Sequence, residues 1–254
     1  MESRILHPAE STKRLFNIVS TESVLYHTFH ASVGFWTDSS DADYSFDPDF
    51  WKRAESYLSG PDAFLGATDS FASPVLGVPP SLLRLALKLG KLYKNALNIS
   101  SIDMQKLQEE VEHWQRPLLL EFEFFPTVEE RARPQNMREE FYKDTIALYT
   151  IVVSFLFAKL FQSQDDWCQD TASNRWQLKK AIDIVQSNKL NDGWMRCYVG
   201  NWPIYTLGFF MSDPEERRVM SDDLQRRWQL TRMAQSRRFL DDIEVAWLDG
   251  SHSS

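Results

Sequence analysis

The sequence predicts an all-α fold, a single multi-helix bundle around a long apolar helix. Three observations lead there. Apolar residues recur at spacings of three and four along most of the chain, and no convincing strand or internal repeat interrupts them. Helix-start signals, an acid or hydroxyl residue followed by proline, stand ahead of several of these stretches. Finally, 9 glycines and 11 prolines in 254 residues leave little room for linkers.

Taken in order, residues 8–33 carry Leu15, Ile18, Val19, Leu25, Tyr26 and Phe29 at helical spacing. Ser20-Thr21 is a candidate break between two helices there. Asp38 to Asp49 is an acidic loop. Asp47-Pro48 then opens a helix through Phe50, Trp51, Ala54 and Leu58, ended by Ser59-Gly60-Pro61. Phe64 to Ser73 reads as irregular, rich in small residues, and either functional or mobile. Pro79-Pro80-Ser81 starts an amphipathic helix of Leu82, Leu83, Leu85, Ala86, Leu89 and Leu92. Lys88, Lys91 and Lys94 gather near its C-terminal end, where cations suit the helix dipole.

Ser101 or Asp103 caps the next helix, with Leu107, Val111 and Trp114 inward and Glu109, Glu110 and Glu112 outward. Pro117 predicts a break or kink in it. Glu121 to Phe125 alternates like a strand but has no partner of similar length, so a helix end or extended connector is expected. Pro126 and Pro134 bracket a charged linker. A long helix over 135–161 follows as the expected bundle axis. Its stretch Ile146 to Phe161 is apolar nearly all round, but at 16 residues with Lys159 inside it falls short of the ~20 a membrane span needs. Burial of this helix is expected, with no membrane contact. Asp165 to Asp170 is a loop, Trp176 to Val185 an amphipathic helix, and Asn188 to Gly193 a turn. The last helices run from Pro214 to Trp247.

Between that turn and those last helices lies Cys197 to Arg217, CYVGNWPIYTLGFFMSDPEER. Trp202-Pro203 begins an apolar run with Gly208 inside it, and Pro203 is placed to start a short helix capped by Asn201 or Trp202. Ser212-Asp213 stops the run. Asp213 is a candidate N-cap, with Pro214 at the first helical position and Glu216 at the capping-box position. No nucleophile, general base or metal ligand stands in this run, so it is read as a packing element.

Trp202-Pro203, Gly208 and then Asp213-Pro214-Glu215-Glu216-Arg217 resemble the C-terminal part of the fungal-specific transcription factor domain. That domain is the helical regulatory region downstream of the zinc binuclear cluster in fungal regulators. Two further stretches agree. Ser73-Pro74-Val75-Leu76-Gly77-Val78-Pro79-Pro80-Ser81-Leu82-Leu83, with Leu85, Leu89 and Leu92, looks like the family's proline–glycine–leucine segment. Arg238-Phe239-Leu240, Ile243, Val245 and Trp247 look like its last helix. The match runs from about Pro74 to Trp247. It implies a nuclear, non-enzymatic regulator of a biosynthetic (secondary-metabolite) or nutrient-use gene cluster.

Cysteine usage departs from that pattern. Cys168 and Cys197 are the 2 cysteines of the chain, too few for the family's six-cysteine zinc cluster or for a disulfide framework. A formal net charge of −8 gains nothing from a phosphate backbone. Direct DNA contact is therefore not expected. The resemblance then implies partnership with a DNA-binding regulator or self-association as a dimer, from a chain reduced to the regulatory half or a truncated gene product. A cytoplasmic location is the alternative to the nucleus, since the lysine and arginine pairs make no convincing import signal. Met1-Glu2-Ser3-Arg4 leads into a polar segment and not into a signal peptide.

Other constellations have plainer readings beside the functional ones. Asp165-Asp166 and Asp170 resemble the acidic clusters with which all-α isoprenoid synthases hold magnesium. The nearest second cluster, Asn191-Asp192, has Met195 and Val199 where a hydroxyl and a glutamate are needed. His27 and His30, three apart, suit half a metal site, but no third ligand stands nearby. From Pro214 to Trp247 the arginines are matched by acids, which reads as a solvated face with weak ion pairs. No catalytic, cofactor-binding or metal-binding residues are assigned, and no cofactor is expected. The one ligand expectation is a small apolar molecule in a pocket between Tyr149, Val153 and Phe157 of the long helix and Trp202, Pro203, Leu207, Gly208 and Phe210. Simple core packing of those side chains is the plainer alternative. An isoprenoid-type enzyme and a non-transcriptional helical scaffold remain the alternative functions.

Overall fold

Prolines mark several helix starts, each at a first-turn position whose missing N–H has no intrahelical partner to lose. In the computed structural model these include Pro48 of α2 (Pro48–Leu58), Pro80 of α3 (Pro80–Lys94) and Pro214 of α9 (Pro214–Thr231). The structure describes residues 8–37, 47–58, 76–95, 101–124, 137–161 and 172–248. These form ten α-helices and one 3-10 turn, and there is no strand among the described residues. The all-α expectation holds.

Several boundaries differ from the sequence reading, each for a local reason. α1 (Pro8–Val33) is one helix, not two. At its expected break Thr21 Oγ1 bonds back along the helix to Asn17 O at 2.8 Å, and two residues on Ser23 Oγ does the same to Val19 O at 2.8 Å. Such back-bonding lets a hydroxyl residue sit inside a helix instead of ending it. α4 (Ser101–Phe124) continues through Pro117 without a break, while residues 121–124 form its end, one of the two expectations for that stretch. Pro117 is exposed, so water can reach the carbonyl it leaves unpaired one turn back. Asn188 to Gly193 is not all turn, because Asn191 Oδ1 accepts from Gly193 N at 3.0 Å and starts α7 (Asp192–Arg196).

α5 (Met137–Phe161) buries apolar side chains together with Thr145, Thr150 and Ser154. Leu148, Tyr149, Ile151, Val152, Val153, Phe155 and Leu156 are all buried. The helix packs against α3, α4, α6 (Ala172–Ser187) and α8 (Asn201–Phe209). Among the described residues no helix is long and apolar enough to cross a membrane. α1 packs on α2 and α3, while α8 is enclosed by α5, α6, α9 and α10 (Ala234–Leu248). α9 and α10 are separated at Arg232, which adopts φ 56°, a left-handed conformation that costs an L-residue roughly 1–2 kcal/mol. Its N–H bonds Trp228 O at 2.9 Å, and its guanidinium lies 5.6 Å from the Trp228 ring centroid.

Candidate functional site

Every one of the nine residues of α8 is buried. A short apolar helix with no polar face has to be covered on all sides, and its neighbours show how. The helix starts at Asn201, two residues before Pro203, so the proline occupies the first turn, where no N–H is needed. Gly208 lets α9 approach: a Cβ there would stand 3.2 Å from Met220 Cβ and 3.7 Å from Ile243 Cδ1. Trp247 Nε1 donates to the Gly208 carbonyl at 3.1 Å, a second bond on an acceptor that also takes the Met211 N–H at 3.2 Å. Arg217 Nε donates to Met211 O at 2.7 Å, and its guanidinium lies 5.3 Å from the Trp247 ring centroid. Asp213 caps α9 as expected, accepting from Glu215 N at 2.8 Å and Glu216 N at 3.0 Å.

Beneath the start of α8 lies a buried charge. Arg227 has 0% of its side chain exposed and Asp223 2%, with Arg227 Nε donating to Asp223 Oδ2 at 2.5 Å. Asp223 Oδ1 accepts from Trp194 Nε1 at 3.2 Å. Arg227 Nη1 donates to Cys197 O at 2.7 Å and Asn201 Oδ1 at 3.2 Å. The guanidinium lies 4.8 Å from the centroid of the Trp194 ring, a cation–π contact in a desolvated place. Nη2 has no hydrogen-bond partner among the described residues. Expecting the arginines of α9 to form a solvated face is therefore correct for Arg218 and wrong for Arg227. A signal was available: Asp223 and Arg227 share the helix face of Met220 and Leu224, which are buried.

A second polar cluster joins α1 to α10. Tyr26 OH donates to Gln235 Oε1 at 3.4 Å, so the Gln235 amide nitrogen is free to donate to His30 Nδ1 at 2.6 Å. Burial, and then neighbouring His27, pushes the His30 pKa down to about 3. The ring is thus neutral, with its proton on Nε2, which has no partner among the described residues. Burial, then the nearby phenol of Tyr198, pushes the Tyr26 hydroxyl pKa up. Cys197 is half-buried, its sulfur 3.5 Å from Thr145 Oγ1.

The expected pocket residues are distributed as follows. Tyr149 and Trp202 come together, their rings stacked at 5.7 Å and 26°, and Phe29 packs edge-on against both. Tyr149 OH donates to Val199 O at 3.1 Å, and burial pushes its pKa up. Val153, Pro203, Leu207 and Gly208 are buried, whereas Phe157 and Phe210 are half-buried. Phe210 packs on Phe155 at 5.2 Å and on Trp36 at 5.5 Å. A depression of about 250 Å³ lies elsewhere, between α6 and α9, where Val185, Lys189, Val219 and Arg226 are among the residues lining it. Among the described residues no group of three or more His, Cys, Asp or Glu side chains is placed to hold a metal ion. Asp165, Asp166, Cys168 and Asp170 lie outside the described residues. No family model, curated protein or solved structure matches this chain.

Proposed function

We propose that this chain is a helical regulatory domain of the fungal transcription factor type, organised around α5 and acting without enzymatic chemistry. In this reading it works in the nucleus through a partner that reads DNA, or through its own dimer, on a biosynthetic or nutrient-use gene cluster. A small apolar ligand between α5 and α8 is its candidate input. One observation carries the reading. Four of the residues behind the resemblance, Gly208, Arg217, Ile243 and Trp247, meet at a single junction beside Met220: Gly208 lies under Met220 and Ile243, Trp247 bonds Gly208, and Arg217 lies over Trp247. A sequence pattern whose members touch one another is a packing signature, which is what a shared fold preserves. The chain's net charge of −8 favours a proxy over direct DNA contact.

The test is chromatin occupancy of the tagged chain, with co-purifying proteins identified from the same preparation. Occupancy at a discrete set of promoters, together with a DNA-binding partner, supports the reading. Exclusion from chromatin with the chain in the cytosol overturns it.

A further inference from the structure

The chain leaves α1 at Val33 through four residues, Gly34 to Thr37, that cross α3, α8 and α10 without forming a helix of their own. They are held as a bound peptide is held. Lys94 Nζ, at the end of α3, donates to Val33 O at 3.0 Å and Phe35 O at 2.5 Å. The Trp36 backbone N–H donates to Tyr205 OH at 2.6 Å. The Trp36 indole N–H donates to Thr206 Oγ1 at 3.2 Å. Thr37 Oγ1 bonds Asp242, the same carboxylate that accepts from Tyr205 OH.

The apolar contacts follow the same plan. Phe35 meets Phe239 edge-on at 5.8 Å. Trp36 lies between Tyr93 at 5.8 Å and Phe209 at 5.8 Å, with Lys94 Nζ 5.1 Å from its ring centroid. Gly34 makes the approach possible: its φ of 57° is one that L-residues rarely adopt. Phe35 and Trp36 are only half-buried, while the α8 residues beneath them are fully buried and covered from other sides by α5 and α9.

We propose that this strap is an intramolecular ligand, and that the groove of α3, α8 and α10 binds an extended segment of the form aromatic–Trp–hydroxyl, which the strap blocks in cis. Main-chain groups read by side chains, an indole N–H read by a hydroxyl and a carboxylate at one end together specify that chemistry. The contact is autoinhibitory: a partner segment has to displace the strap, which enjoys the high effective concentration of a tethered group. The inference does not depend on the transcriptional reading.

The test uses the full chain and a fluorescein-labelled peptide, Val-Gly-Phe-Trp-Thr, read by fluorescence anisotropy. Trp36→Ala frees the groove and is expected to bind the peptide at least about ten-fold more tightly than the unaltered chain, where the strap competes. A peptide with alanine for tryptophan is expected to lose that binding, as is the Trp36→Ala chain that also carries Thr206→Val. Equal affinity of the two chains overturns the proposal, and so does a cooperatively folded Trp36→Ala chain that binds no peptide. Should Trp36→Ala melt without cooperativity, Gly34→Val takes its place. It strains the strap backbone, its Cβ standing at ordinary contact distance, 3.5 Å, from Lys94 Nζ, and the same readings decide.

Discussion

The two ends of α9 carry the same sequence pattern in opposite surroundings. Near its start Arg218 pairs with Glu215 and with Asp222, all solvent-facing, the arginine side chain 61% exposed. Two turns later Arg227 pairs with Asp223 at 2.5 Å, both buried. An exposed pair gains little, because water and salt screen it and two flexible side chains must be held still. A buried pair has surrendered its hydration, so each charge depends on its partner and on the bonds to Trp194, Cys197 and Asn201. The difference teaches that charge spacing along a helix says which residues can pair, while the face they share says what the pairing is worth.

The comparison is broken most severely at its buried end. Asp223→Asn strands the Arg227 charge and is expected to cost about 3–5 kcal/mol in urea unfolding. In a cycle with Arg227→Met, the double variant should cost about 1–3 kcal/mol less than the two single changes together. Additive losses would mean that the pair does not act as a unit.

Titration extends the contrast. His30 keeps its proton off until about pH 3, whereas an unfolded histidine takes it up near 6.5. The unfolded state therefore binds the extra proton between those values, and stability falls as pH drops from 6.5 towards 3. His30→Gln should flatten that limb of the urea-stability profile. A profile unchanged by the substitution would place the titration elsewhere. At the exposed end, hydrogen bonding to Arg218 lowers the Glu215 pKa below 4.5. Its contribution is present above that value, lost as pH falls below it, and removed by added salt.

Smaller effects sharpen the comparison. Asp213→Ala removes the cap of α9 and should cost about 1 kcal/mol, measured by the same melts. Gly200 offers a gain. A Cβ there would lie 3.5 Å from Arg227 Nη1 and 3.6 Å from Nη2, the unpartnered nitrogen, and the backbone is in the ordinary helical region at φ −71°. Gly200→Ser should therefore stabilise by about 0.5–1 kcal/mol relative to Gly200→Ala, because its hydroxyl supplies the missing acceptor. Arg218→Ala should leave the melt unchanged within error. A loss there comparable to that of Asp223→Asn would erase the distinction between the two ends.

Much of the fold is legible in the sequence because its signals are local. Asp213 caps α9 and Pro80 opens α3 by rules that need only neighbouring residues. Leu107 and Val111 face inward because helical spacing puts them there. Expectation and structure part where a local rule meets a local escape: Thr21 bonds back along α1, and Pro117 faces solvent. The site is less legible. Tyr149 and Trp202 are paired by the sequence reading and do stack, yet nothing in that reading singles out Arg227 or the Phe35–Trp36 strap. No residue near Trp36 in the chain announces that Thr206, some 170 positions away, will receive its indole N–H.

The sequence by itself determined the helices, their caps and the apolar faces, since backbone hydrogen bonding and side-chain period act over a turn or two. Only the tertiary structure decided which charged pair lost its water, which histidine was kept neutral and which loop was gripped like a ligand. Those outcomes depend on desolvation, and desolvation depends on every element that closes over a residue, however distant in the chain.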